Sequence, residues 1–207
     1  MATSTITKTV LTEPRTVTTI AADVTAKTTA HTITTALGVT VFIDYAPDAS
    51  AAKVGNGTRF KIQTSQTTTA DLAWRDLFVV QTGVSSPNTG SLSSATTAGG
   101  TVINTTSTLP ALGAFAFFKS TTVANSEWGE VVARSTGSST FTVLDGVTTA
   151  LTTNTTWYDS ALHWQQYLNA TGIVRWRVVA HNNMGTTNQA AMWHVAAIEG
   201  ANINATS

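Results

Sequence analysis

The chain of 207 residues contains no cysteine, which excludes disulfides, thiolate metal sites and thiol nucleophiles. Charge is scarce: eleven Lys and Arg stand against eleven Asp and Glu, a formal net charge of zero. The cations are scattered from Lys8 to Arg177 without a cluster. Nucleic-acid binding needs concentrated positive charge, so no nucleic-acid partner is expected. A chain near zero net charge also tends to associate, which points to further copies of itself as partners. No apolar run is long enough to span a bilayer, and "MATSTITKTVLTEPRTV" lacks the uninterrupted apolar core of a signal peptide. We therefore expect a soluble protein made in a cytoplasm, with no membrane partner.

What is abundant is threonine: 43 residues, 15 of them within the first forty. Threonine is β-branched and suits a pleated, half-exposed surface, so the composition favours strands over helices. Residues 1–30 contain no aromatic residue and few large aliphatics. Such a segment buries little by itself. It reads as an N-terminal arm preceding a domain over 31–207, and it becomes ordered by lying against something else. Val10, Leu11, Val17 and Ile20 are its candidate contacts with a neighbour, and "TVTTIA" is suited to add an edge strand. On this reading the arm is mobile in a monomer, and its deletion leaves the melting temperature nearly unchanged.

From Thr34 onward, strand candidates follow one another at short intervals. "GVTVFIDYA", "GTRFKIQTS", "AWRDLFVVQTG", "LGAFAFFKS", "SEWGEVVARS", "TFTVLDG", "GIVRWRVVAH" and "AAMWHVAAIEG" are separated by Gly, Asn and Pro punctuation. Regular short strands with such turns predict an all-β fold, an antiparallel β-sandwich of Ig-like or jelly-roll-like type. The stretch "NTTWYDSALHWQQYLNATG" stands out as a helical turn or a broad loop. A faint repeat relates Phe60, Ile62, Ser65, Trp74 and Asp76 to Phe115, Phe117, Ser120, Trp128 and Glu130. Two hairpins of one design would suit the two faces of a sandwich.

Catalytic and metal-binding patterns are sparse. His31, His163, His181 and His194 do not pair at metal-ligand spacing on one element, and hydrogen-bonded histidines are the ordinary reading. Glu127 and Glu130 are close in sequence but fall on opposite faces of a strand, and Asp71 and Asp76 have no aromatic platform about them, so no glycosidase carboxylate pair is expected. No nucleophile elbow or phosphate-cradling glycine loop occurs. "DAS" and "LDG" lack the spaced oxygens of a calcium loop. Five Asn-x-Thr sequons, at Asn56, Asn104, Asn154, Asn169 and Asn204, arise readily in a chain this rich in threonine. The expectation is a protein that is not an enzyme, with no catalytic, cofactor or metal residues.

Of the six tryptophans, Trp74, Trp128, Trp176 and Trp193 alternate with apolar residues and read as core. Trp157 and Trp164 lie with Tyr158 and Tyr167 in the irregular stretch, where they either cap the core or form a contact surface. In "ATGIVRWRVVAHNN", Val174, Trp176, Val178 and Ala180 share one strand face and Ile173, Arg175, Arg177 and Val179 the other. Arg175 and Arg177 are then outward residues, available to the carboxylates of a neighbouring subunit.

The order of features in "NSEWGEVVARSTGSSTFTVLDGVTTAL" followed by "HWQQYLNATGIVRWRVVAHNN" resembles structural proteins of tailed-bacteriophage virions. In those, a Glu-Trp strand precedes an acidic-Gly turn and a hydrophobic-Arg strand ending in Asn. The resemblance covers roughly residues 110–200, with "GEVVAR" and "WRVVAHNN" carrying most of it. It implies a capsid decoration or cement protein on a β-sandwich, bound to the major capsid protein at the virion surface and oligomeric, a trimer among the closed forms. Two other classes fit the same residues. One is a carbohydrate-binding or host-recognition module with Trp157, Tyr158 and Trp164 as the stacking platform; the other is a phage tail component.

Overall fold

The computed structural model describes residues 5–11, 15–21, 24–34, 36–48, 55–69, 73–82, 88–106, 108–184 and 190–203. Fifteen strands run in order: β1 (Thr5–Val10), β2 (Arg15–Ile20), β3 (Thr25–Lys27), β4 (His31–Thr32), β5 (Ala36–Asp48), β6 (Gly55–Ser65), β7 (Arg75–Gln81) and β8 (Thr89–Ser91) are followed by β9 (Val102–Asn104), β10 (Phe115–Lys119), β11 (Glu127–Ser135), β12 (Thr140–Val143), β13 (Thr156–Asn169), β14 (Arg175–Met184) and β15 (Ala190–Ile203). Every ladder is antiparallel, and the described helical structure is confined to single 3-10 turns. The ten-stranded sheet has the order β1-β15-β5-β13-β10-β11-β12-β9, with β2 also on β15 and β8 also on β13; the five-stranded sheet has the order β3-β14-β6-β7, with β4 also on β14. The all-β antiparallel sandwich expected from the sequence is the observed fold class.

Alternation explains how the two sheets meet. Val39, Val41, Ile43 and Tyr45 of β5, Trp193, Val195 and Ala197 of β15, Phe60 and Ile62 of β6, and Trp176, Val178 and Ala180 of β14 are all buried in one cluster between the sheets. Full burial of side chains of this size contributes about 1.5–3 kcal/mol each. The inward face read from "GIVRWRVVAH" is the one observed.

The far end of the larger sheet curls round a second core. Ladders join β8 to β13, β13 to β10, β10 to β11, β11 to β12 and β12 to β9. The bridge Leu92↔Thr105, with Ser93 N–H donating to Asn104 O at 3.0 Å and Thr106 N–H to Ser91 O at 3.0 Å, returns β9 to β8 and closes the ring. Inside are Leu92, Ile103, Phe118, Val131, Phe141, Val143 and, fully buried, Trp157. The Trp157 indole N–H donates to Thr105 Oγ1 at 3.1 Å, which satisfies its one polar atom. Its ring occupies the space over Gly90, where a Cβ would lie 2.8 Å from it.

The stretch expected to be a loop or helical turn is β13, a single strand of 14 residues. Leu162, Trp164 and Leu168 turn to the sandwich core, whereas Trp157, beyond a register shift between residues 158 and 161, turns to the ring core. One strand that carries a bulge and serves two cores loses the simple alternation by which strands are read. A third, separate cluster of Ala46, Phe117, Tyr158 and Met192, with Val123 and Trp128 packed against it, lies where β10 and β13 meet β5 and β15. The proposed repeat survives as two hairpins, β6–β7 and β10–β11, in different sheets. Opposite the second copy's aromatic pair, Phe115 and Phe117, the partner strand β13 carries an extra residue between 158 and 161.

The Thr-rich N-terminal segment is built into the same chain. β1 and β2 lie end to end along β15, and "TVTTIA" does add an edge strand. The chain then crosses to the other sheet, where β3 and β4 line β14. Asn182, fully buried on β14, holds the crossing: its side-chain amide donates to Ile20 O at 3.1 Å and Ala21 O at 3.2 Å, its side-chain carbonyl accepts from Thr58 Oγ1 at 3.1 Å, and its backbone N–H donates to Val24 O at 3.0 Å. Between β3 and β4, buried Thr28 accepts the Val178 N–H through Oγ1 at 3.0 Å, so the gap in the ladder leaves that donor paired. Ile20, expected against a neighbour, is 1% exposed in the chain's own core, and Leu11 packs against the same core. Val17 lies in β2 with its side chain outside the described set.

Replacing Asn182 by Leu keeps the branching and the heavy-atom count but leaves two carbonyls and the Thr58 hydroxyl without this partner. At about 1–3 kcal/mol for each buried polar group so orphaned, the loss should exceed about 2 kcal/mol. Urea denaturation measures it, and limited trypsin digestion should show cleavage at Lys8 or Arg15 accelerating in N182L relative to the wild type.

Candidate functional site

Because the odd-numbered residues of β5 from Val39 to Tyr45 are in the core, Thr40, Phe42 and Asp44 lie on the outer face of the larger sheet. On the flanking strands the same argument turns His163, Gln165 and Tyr167 outward from β13, and His194, Ala196 and Ile198 outward from β15. The register sets His163 opposite Asp44 on one side and His194 opposite Asp44 on the other. The carboxylate takes one imidazole on each oxygen: His163 Nδ1 at 2.5 Å from Oδ1, His194 Nδ1 at 2.9 Å from Oδ2. Phe115 stacks on His163 at 5.3 Å between ring centroids, and Trp128 stacks on His194 at 6.2 Å.

These rings wall a cleft of about 650 Å³ where β10 and β11 meet the sandwich, and Glu127, Glu130 and Asp145 also line it. The two glutamates expected on opposite faces thus reach one cleft. Glu127 is tied down there, accepting from Thr148 N and Thr148 Oγ1 at 2.7 Å each and from Thr149 N at 3.3 Å. Asp145, of the "LDG" turn, is the third carboxylate. Burial works to raise the Asp44 carboxyl, but hydrogen bonds and charge from His163 and His194 outweigh it and hold the group below its ordinary value. The hydrogen bond to Asp44 raises His163 above its ordinary value, against a smaller opposing effect of burial. Chemically, the carboxylate fixes two imidazoles and favours the protonated form of His163. Among the described residues no three His, Asp or Glu side chains gather as a metal-holding group.

The other histidines have local roles. His181 Nδ1 lies 2.8 Å from Thr25 Oγ1, and His31 stacks on Trp176 at 5.0 Å, with burial lowering its pKa. Asp76 accepts from Lys61 Nζ at 2.5 Å and Gln63 Nε2 at 2.8 Å, whose hydrogen bonds lower its pKa. Asp71 and Asn204 lie outside the described residues.

The aromatic contact surface is reassigned. Trp157 is in the ring core and Tyr158, 7% exposed, is in the third cluster; neither forms a platform. Trp164 is half-buried against the sandwich core. Tyr167 is 59% exposed on the outer sheet face. Trp176 and Trp193 are core residues as expected, whereas Trp128 is half-buried with its indole N–H donating to Tyr45 O at 3.1 Å. Trp74 lies outside the core, beneath two guanidinium groups, with Arg175 Cζ 4.9 Å and Arg177 Cζ 4.1 Å from its ring centroid. Arg175 Nε donates to Thr67 O at 2.6 Å, and Arg177 Nε donates to Gln63 Oε1 at 2.9 Å. Arg175 is only 8% exposed, and both guanidinium groups, expected to face a neighbour's carboxylates, bond within their own chain.

Of the exposed apolar residues, sequence reasoning named Val10 and Tyr167 as contacts and missed the rest. Val10 is 72% exposed on β1, Leu37 57% on β5, Leu77 and Val79 each 46% on β7, and Val132 41% on β11; Val102, Leu112 and Leu144 are exposed about the ring. Leu77 and Val79 project from the final strand of the five-stranded sheet, whose described ladder is with β6 alone. The signal was present as apolar residues on both faces of one strand in "DLFVV".

No protein family matches the chain, and no curated protein does either. Among solved structures, weak neighbours are viral capsid proteins. Infectious bursal disease virus, Gx strain, gives a TM-score of 0.27 at 9% identity over 97% of this chain and 42% of that one. The VP2 subviral particle of the same virus gives 0.21 at 9% identity, again over 97% and 42%. VP17, a capsid protein of bacteriophage P23-77, gives 0.17 at 12% identity over 95% of this chain and 99% of that one. The chain spans about two fifths of the length of the bursal disease virus chains. At these scores the likeness assigns no role to any residue here.

The Asp44 pair has a defined pH window. Asp44, with its folded value depressed, contributes stability above its ordinary value of 3.8 and loses it as pH falls through the folded value. His163, with its folded value raised, contributes fully below 6.5 and loses the contribution as pH rises through the folded value. The destabilisation caused by His163→Gln should therefore be greatest between those two ordinary values and shrink towards pH 9. Its size should stay below about 1 kcal/mol because His163 is partly exposed to solvent. Thermal melts of both proteins across that range check it.

Proposed function

We propose that the chain is a non-enzymatic structural component of a virion, a capsid decoration or cement protein that sits on the major capsid protein from outside the shell and associates with copies of itself. The observation that carries the reading is its surface. Ten large hydrophobic side chains are more than 40% exposed among the described residues, on a chain in which only 11% of residues are charged. Contact surfaces that remain assembled are apolar and poor in charge, whereas a free monomer is kept soluble by mixed charges. The sequence resemblance to tailed-phage virion proteins supplies the setting. Leu77 and Val79 on the terminal strand β7, together with the outward backbone of that strand, suit pairing with an extended segment of the shell.

Quantitative mass spectrometry of purified virions tests the reading. The chain should be present in copy numbers set by capsid symmetry, as opposed to the few copies of a tail tip. Particles lacking it should disassemble at lower temperature. Leu77→Lys with Val79→Lys should abolish attachment while leaving the melting temperature of the free protein within a few degrees of wild type, since both side chains already face solvent. Absence from particles, or a copy number tied to the tail, would overturn it.

A further inference from the structure

Tyr167 is shared by two depressions. One is a cleft of about 680 Å³ at the end of the sandwich, where β6 ends, β7 begins and β13 turns into β14. The other is a groove of about 440 Å³ on the outer sheet face, floored by Thr40 and Phe42 and edged by Leu37 and Ile198. The Tyr167 ring is set by its neighbour across the sheet. Gly38 has no side chain, and a Cβ there would fall 2.2 Å from the Tyr167 hydroxyl oxygen and 2.5 Å from the ring, so the ring rests directly on the Gly38 backbone. With 59% of the residue still exposed, the structure supports an aromatic ring from one side and presents it to solvent.

The polar lining is of one kind. Carboxamides of Gln66 and Asn169 and hydroxyls of Thr64 and Thr171 line the cleft, and Gln165 lines the groove. Among the described lining residues of both depressions, Arg75 is the single charged side chain. Trp74 also lines the cleft, while Arg175 and Arg177, which cover its ring, do not. A lining without carboxylates offers no opposite charge to a cation. With one guanidinium it does not select polyanions, and its ring of hydroxyls and carboxamides would be left unpaired beneath a hydrocarbon. Neutral hydrogen-bonding groups around an exposed aromatic face match a ligand with hydroxyls at its edge and C–H bonds on its face.

We propose that the surface centred on Tyr167 binds a glycan, with one pyranose ring stacked on the Tyr167 face and its hydroxyls bonded to Asn169, Gln66 and Gln165. The two depressions together have the volume of a small-molecule site and accommodate more than one sugar unit. This site is distinct from the stretch of Trp157, Tyr158 and Trp164, whose first two members are buried. It does not depend on the capsid reading, because a decoration protein and a free binding module would carry it equally.

The test is an array of defined neutral and sialylated oligosaccharides, followed by titration of the best hit with the intact protein. Tyr167→Ala should weaken binding by about tenfold or more, the scale of one lost aromatic contact, with the melting temperature unchanged. Tyr167→Phe should retain binding. Gly38→Ala, which displaces the ring without removing it, should weaken binding while leaving the ring in the protein. No binding to any glycan at millimolar concentration would overturn the proposal. So would binding that is indifferent to Tyr167→Ala, or binding confined to sialylated glycans and lost with Arg75→Gln alone.

Discussion

The buried carboxamide of Asn182 is the constraint on which the arrangement of the chain depends. A crossing between two sheets exposes backbone groups that no ladder satisfies, and inside a protein such groups must find a partner. Asn182 supplies donors to the carbonyls of Ile20 and Ala21 and an acceptor to Thr58, so one side chain joins the end of β2, the five-stranded sheet and the start of β6. The orientation of the amide is fixed by chemistry, since two carbonyl oxygens can be bonded only by its NH₂ end. A segment with almost no core-forming side chains is thereby fastened along one side of the sandwich by backbone ladders and a single latch.

The opposite side of the molecule is organised by β13. Its second half belongs to the sandwich and its first half to the closed ring, and a separate cluster of Phe117, Tyr158, Ala46 and Met192 packs where the two parts meet. That junction creates the acidic cleft above Asp44, because it brings the aromatic walls of β10 and β11 over the outer face of β5. Beyond the junction Phe42, Ile198 and Tyr167 are turned to the outer face, where they line a groove.

Much of the fold was legible in the sequence because it rests on local chemistry. Strand spacing, β-branched content and the inward face of "RWRVVA" depend on alternation and turn residues, which a single chain displays. The remainder depends on register, which it does not. Asp44, His163 and His194 lie on three strands that are distant in sequence, and nothing in "FIDYA", "ALHW" or "MWHV" says that they are level. The N-terminal segment looked too poor in apolar residues to be ordered, since the latch that holds it is an asparagine 162 positions beyond Ile20. Trp157 looked available for contact because its strand changes the core it serves halfway along, and Arg175 looked outward and free because its partners, Trp74 and Thr67, come from a turn a hundred residues earlier.

Hydrogen–deuterium exchange of the free protein tests the latch most directly. Amides of β1 and β2 that are paired to β15 and fastened at Asn182 should exchange as slowly as those of the neighbouring sheet strands, showing that the segment belongs to the folded monomer. Exchange of residues 5–20 at the rate of an unstructured chain, beside a protected β15, would show that the segment waits for a partner, and would contradict this account.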